Sequence, residues 1–113
     1  MDPSIDFSMY PQNEYIKQIA PIRVAVTGAT GLIGSYLCPM IASGRMFGPH
    51  QRVILHLIVQ SSSQKALDGL VMELNDGAYP LLHGIVPTTD LMVGFKEIDV
   101  ALLAGSKPRL PGM

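Results

Sequence analysis

The 113 residues include a single cysteine, Cys38, and no tryptophan. One thiol rules out an internal disulfide and any cysteine-built metal cluster, which suits a reducing compartment. Flanked by apolar residues, it reads as a small packing group. An excess of charge is also missing: 8 basic against 9 acidic residues leave a formal net charge of -1. Such a chain has no field to gather nucleic acid or an anionic membrane. No apolar run reaches the roughly 18 residues of a membrane-crossing helix. The opening stretch holds Asp2, Asp6 and Glu14 and no arginine, unlike a secretory or mitochondrial leader. Residues 1–20 are therefore expected to be a loosely attached tail, and the location cytoplasmic. What the chain does have is apolar content, 48% against 15% charged, enough for one small core and too much for disorder.

After Pro21, "IRVAVT" is a β-branched run that stops at Gly28 and predicts a central strand. Leu32, Ile33, Leu37, Met40 and Ile41 recur at helical spacing until Ser43-Gly44, with Pro39 predicting a kink. Val53 to Val59 is apolar at nearly every position, as in a parallel strand covered on both faces. His56 within it is expected to be a buried neutral ring with one nitrogen satisfied. Ser63 is placed to cap a helix whose apolar stripe is Leu67, Leu70, Val71 and Leu74, with Lys65, Asp68 and Glu73 facing away. "NDGAYP" ends that helix. "GIVPTT" predicts an extended piece that Pro87 confines to an edge, "DLMVGFKE" a helical turn or two, and "VALLAG" a further buried strand. The order of elements is that of an α/β doubly wound parallel sheet, Rossmann-like.

Between the first strand and the first helix stands "GATGLIG". Gly28 permits a sharp turn, Gly31 lets backbone approach a pyrophosphate, and Gly34 lets helix and strand pack closely. The helix start supplies amide donors for the phosphate. Gly28, Ala29, Thr30, Gly31, Leu32, Ile33 and Gly34 are thus candidate cofactor-binding residues. A purely structural glycine turn remains the alternative, and the flanking strand and helix favour the dinucleotide. At the end of the second strand, where such folds place a carboxylate for the adenosine ribose, the sequence reads Val59, Gln60, Ser61, Ser62, Ser63. Hydroxyls of the three serines, with Gln60 and backbone amides, are suited to hold a phosphate, with Lys65 as counter-charge.

The GxxGxxG spacing is also that of the extended short-chain dehydrogenases. The later segments "IASGRMFG", "ALDGLVMELNDGAYPLL", "FKEIDVALLAGSKPR" and "PGM" instead resemble the cytosolic type of malate dehydrogenase and its chloroplast NADP-dependent relatives, in order and with matching spacing. The Tyr-x-x-x-Lys of the short-chain enzymes is absent. The resemblance covers residues 21–113, which it makes the N-terminal part of a dinucleotide-binding domain without its substrate domain. It implies hydride transfer between the malate hydroxyl carbon and a nicotinamide, a dicarboxylate substrate, and pairing into homodimers through helices of the cofactor domain. By the same resemblance Arg109 of "KPR" grips a substrate carboxylate, which its planar fork suits, and Gly105 belongs to the cofactor site.

The family pattern continues beyond "PGM" with a second substrate-binding arginine, two more sheet strands, and the aspartate and histidine that take the substrate proton; by this resemblance the sheet here is incomplete, with the first four strands only. Neither His50 nor His83 stands in that segment, so no catalytic residue is assigned and these 113 residues alone are expected to turn over nothing. Aligned without gaps, Val59 falls where NAD-dependent members carry their ribose-binding aspartate. The chloroplast members have a serine-containing loop with an arginine there; "VQSSSQ" matches the serines and lacks the arginine. The cofactor is therefore NAD or NADP, leaning to NADP. A non-catalytic nucleotide-binding or interaction module derived from the same fold is the alternative function. If "VALLAG" normally has a neighbour, its open edge also predicts association with a second chain.

Overall fold

The structure is a computed structural model and describes residues 20–104. The tail and the candidates Gly105 and Arg109 lie outside the described residues. In chain order the elements are β1 (Ile22–Thr27), α1 (Leu32–Ala42), β2 (Val53–Ile58), α2 (Gln64–Asp76), β3 (Leu82–Thr88), α3 (Leu91–Gly94) and β4 (Val100–Leu103). The strands form one sheet in the order β3-β2-β1-β4, every pair parallel. The chain thus moves outward from β1 to β3 and then crosses to the other side of β1. That reversal opens a crevice beyond the carboxyl ends of β1 and β4, where open α/β sheets bind ligands.

Alternation along the strands sends Val24, Val26, Val53, Leu55 and Leu57 to one face. There they meet Cys38 and Ile41 of α1 and Leu67, Leu70 and Leu74 of α2, all buried. Each such side chain contributes about 1.5–3 kcal/mol on burial, so this face holds the layers together. The α2 stripe is the one its spacing predicts, with Val71 half-buried and Lys65, Asp68 and Glu73 outside.

The face of α1 differs from expectation. Leu32 and Ile33 are 90% and 61% exposed, while Gly34, Cys38, Ile41 and Ala42 point inward. An almost wholly apolar helix gives periodicity no contrast, and the close approach at Gly34 chooses the face instead. The helix also runs through Pro39, whose carbonyl accepts from the Ser43 amide at 2.9 Å. Ser63 occupies the N-cap position of α2, but its hydroxyl caps nothing. The serine run folds as a 3₁₀ turn, closed by the Ser63 amide on the Gln60 carbonyl at 2.9 Å.

β3 begins two residues before "GIVPTT" and lies on an edge, as Pro87 requires. The Val59 amide donates to the Thr88 carbonyl at 3.1 Å, so Thr88 faces β2 and its neighbour Pro87 turns its donorless nitrogen to the open edge. β4 is not the buried strand its composition predicts. Among the described residues it forms the opposite edge, with Val100 and Leu102 against the core and Leu103 75% exposed. An apolar run records that a face is to be covered, and among the described residues only the short α3 lies on that side.

His56 sits on the α3 side of the sheet and is 2% exposed. Both ring nitrogens are used, where one was expected: Nδ1 lies 2.9 Å from the Gly94 carbonyl and Nε2 3.1 Å from Arg23 Nη1. A carbonyl only accepts and a guanidinium only donates, so the ring carries its proton on Nδ1.

Candidate functional site

The glycine turn lies at the carboxyl end of β1. Gly28 has a φ of +60°, a left-handed conformation that a side chain disfavours. The chain then closes on itself, the Gly31 amide donating to the Gly28 carbonyl at 2.9 Å. A Cβ on Gly34 would stand 2.8 Å from Ala29 Cα and closer still to the Gly28 carbonyl oxygen. Only glycine lets α1 start this near the strand.

Because α1 starts here, its first amides point along the helix axis with no carbonyl of a preceding turn to accept them. The N-cap is Gly31, no side chain caps the helix, and its first turn holds no acidic residue. Gly31 is exposed, so the backbone can be approached closely. These features, together with the positive end of the helix dipole, suit a phosphate. Leu32 and Ile33 stand exposed at the rim, an apolar collar beside the amide cluster.

The predicted second half of the site is adjacent. The Ala29 amide donates to the Ile58 carbonyl at 3.4 Å, which ties the turn to the end of β2. Val59 is buried at 6% exposure and Gln60 is the first exposed residue beyond it. The hydroxyls of Ser61, Ser62 and Ser63 make no hydrogen bond to any described residue, and Lys65 is exposed one turn further on. Thus Gly28 to Gly34 and Gln60 to Ser63 share one end of the sheet.

Residues missed by sequence reasoning complete that end. Thr88 Oγ1 accepts from the Asp90 amide at 2.9 Å, and Asp90 caps α3 through the Met92 amide at 2.9 Å. With the Val59 amide on the Thr88 carbonyl, this turn flanks Gln60. The signal was present in "TTDLM", a capping residue before an apolar run, but nothing in the sequence said which strand end it would join. Cys38 lies away from the site in the core. Burial pushes its thiol up to about 12, which leaves no thiolate for chemistry. Among the described residues there is no group of acidic, histidine or cysteine side chains able to hold a metal ion, and no helix is long and apolar enough to cross a membrane.

Residues 22–113 match the NAD binding domain of lactate/malate dehydrogenase. The chain belongs to that family. Its structure is similar to malate dehydrogenase from Naegleria fowleri, with 45% identity and a TM-score of 0.80 over 85% of this chain and 30% of that one. It is also similar to Trichomonas vaginalis lactate dehydrogenase in complex with NADH and oxamate, with 43% identity and a TM-score of 0.75 over 81% of this chain and 28% of that one. The chain therefore spans less than a third of these relatives. It corresponds to the N-terminal, cofactor-binding part of the family fold, a Rossmann-like sheet.

Proposed function

We propose that the chain is the part of a malate dehydrogenase-like oxidoreductase that holds a nicotinamide dinucleotide. The observation that carries this reading is the uncapped start of α1, whose amides open onto the crevice where the strand order reverses. In this reading the backbone of Gly28 to Gly34 takes the diphosphate, with Ala29, Thr30, Leu32 and Ile33 shaping the turn. Gln60, Ser61, Ser62 and Ser63 take the adenosine ribose. The bound dinucleotide supplies or accepts the hydride; the residues here fix its position.

Cofactor choice rests on Val59. A carboxylate at this strand end accepts ribose hydroxyls and repels a 2′-phosphate. Val59 does neither, and the unbonded serine hydroxyls and Lys65 favour an anion, so the reading leans to NADP and to the cytosolic and chloroplast branch of the family. The NADH held by the solved lactate dehydrogenase makes NAD the natural comparison. In the whole protein Arg109 binds a carboxylate of a dicarboxylic 2-hydroxy acid, Gly105 lies along the cofactor, and the assembly is a cytoplasmic homodimer. Residues 21–113 belong to the cofactor domain, and residues 1–20 precede it in sequence.

Dissociation constants of the chain for NADH and NADPH, measured by nucleotide fluorescence, test this. Binding of both with NADPH tighter is the expected result. A clear NADH preference removes the NADP lean, and binding of neither removes the cofactor role.

A further inference from the structure

α3 is a single turn, Leu91–Gly94, of which only Gly94 is buried. Leu91, Met92 and Val93 are 61%, 83% and 46% exposed. One turn is also far below the roughly 12–15 residues at which a helix begins to hold by itself. Apolar burial and helix propensity therefore fix α3 weakly, and a polar contact supplies what they lack. His56, 2% exposed in the middle of β2, donates from Nδ1 to the Gly94 carbonyl at 2.9 Å.

The ring is itself held from its far side. Arg23 Nη1 lies 3.1 Å from His56 Nε2. The Arg23 main chain is bound in turn: its amide donates to the Asp99 carboxylate and its carbonyl accepts from the Asp99 amide, each at 2.8 Å. β1 and the start of β4 thus fix Arg23, Arg23 fixes the ring, and the ring fixes the last residue of α3.

From Gly94 a run of hydrogen bonds leads to the end of β2. The Gly94 amide donates to the Asp90 carbonyl at 2.9 Å, the Asp90 amide to Thr88 Oγ1 at 2.9 Å, and the Val59 amide to the Thr88 carbonyl at 3.1 Å. Gln60 comes next. Ile58 is level with Thr88, and the same register sets Asp90 beside Gln60, one strand spacing or about 5 Å away. The Thr88–Asp90 turn is then a side wall for whatever Gln60 to Ser63 hold. His56 does not touch that ligand, since Gln60 lies four residues further on, about 13 Å along the strand.

We propose that His56 is a positioning residue for the adenosine end of the cofactor site: through Gly94, α3 and the Thr88–Asp90 turn it sets the wall beside Gln60. This role rests on the reading in which Gln60 to Ser63 take the adenosine ribose. The amides at the start of α1 are not members of this run of bonds, so the histidine acts on the nucleoside half of the dinucleotide rather than on the diphosphate.

Titration of the full chain with NADPH or NADH, whichever binds tighter, tests this when ring and backbone nitrogen resonances are followed together. In the parent chain the His56 ring N–H is expected to shift in step with the amides of Leu32, Ile33 and Gly34, although the ring is out of the nucleotide's reach. His56→Leu is expected to weaken the nucleotide about tenfold, while inorganic pyrophosphate, read at the same three amides, keeps its affinity within about twofold. His56→Gln, which can donate to Gly94 and accept from Arg23, is expected to return the nucleotide to within about threefold of the parent. A ring resonance that stays still while the three amides move overturns the proposal and leaves the cofactor reading standing. Equal losses of nucleotide and pyrophosphate, or a glutamine variant as weak as the leucine one, reduce His56 to a structural role and overturn it too. If the leucine variant does not fold, the parent's ring resonance decides. Amides at residues 32–34 that respond to neither ligand overturn the cofactor reading and this role with it.

Discussion

Gly34 stands so close to Ala29 that a Cβ placed on it would lie 2.8 Å from the Ala29 Cα. The contact joins fold and site, because it sets both the inward face of α1 and the position of the amides at its start. Gly34→Ala must push the helix off the turn. Overpacking of this kind costs about 1–3 kcal/mol, and here it also displaces the phosphate donors. The expected outcome is a lowered urea midpoint together with loss of nucleotide binding. Loss of stability with binding intact would separate the glycine from the site.

Replacing the ring of His56 with leucine leaves the Gly94 carbonyl and one Arg23 donor without a partner inside the sheet's second face. Unpaired buried groups cost about 1–3 kcal/mol each. His56→Leu is expected to destabilise by that order in a denaturant titration. His56→Gln, which keeps one donor and one acceptor, is expected to recover part of it. Equal stability of the leucine variant and the parent would show that the two bonds contribute nothing net.

What short-range chemistry decides is legible in the amino-acid sequence. The glycine turn, the α2 stripe and the proline on an edge strand each follow from residues within a few positions of one another, and each is where it was expected. The inward face of α1 was not legible, because Leu32, Ile33 and Leu37 are as apolar as the Cys38 and Ile41 that are buried. The exposure of β4 was not legible either, since its cover is long-range and unrelated to its own composition. For His56, the burial was foreseen but the second partner was not, as Arg23 lies 33 positions away. Of the candidate site, Gly28 to Gly34 and Gln60 to Ser63 come together as read, while the Thr88–Asp90 turn required the strand order to be known.

Burial raises the Cys38 thiol from its ordinary 9.0 to about 12. A folded-state value above the unfolded one contributes stability that is complete below about 9 and is lost as the pH rises through about 12. A thiol reagent at pH 8 is expected to label the native chain slowly and the urea-unfolded chain at once. Cys38→Ala is expected to lessen the alkaline loss of stability over that window. Rapid labelling of the native chain would contradict the buried, protonated thiol.

Val59→Asp restores a carboxylate to the end of β2. In the proposed cofactor site it accepts ribose hydroxyls and repels a 2′-phosphate, so the ratio of NADPH to NADH dissociation constants is expected to rise about tenfold, equivalent to 1.4 kcal/mol. Val59 is buried, so some stability is expected to be lost as well. An unchanged ratio in a folded variant would mean that this strand end does not touch the ribose.

The most direct test follows backbone amide resonances of the full chain during titration with NADH and, separately, NADPH. If the start of α1 receives a diphosphate, the amides of Leu32, Ile33 and Gly34 shift in a saturable way with both nucleotides, while those of Leu70 and Leu74 in α2 stay still. Amides at residues 32–34 that do not move at saturating nucleotide, in a chain whose core resonances show it folded, would contradict the cofactor-binding reading.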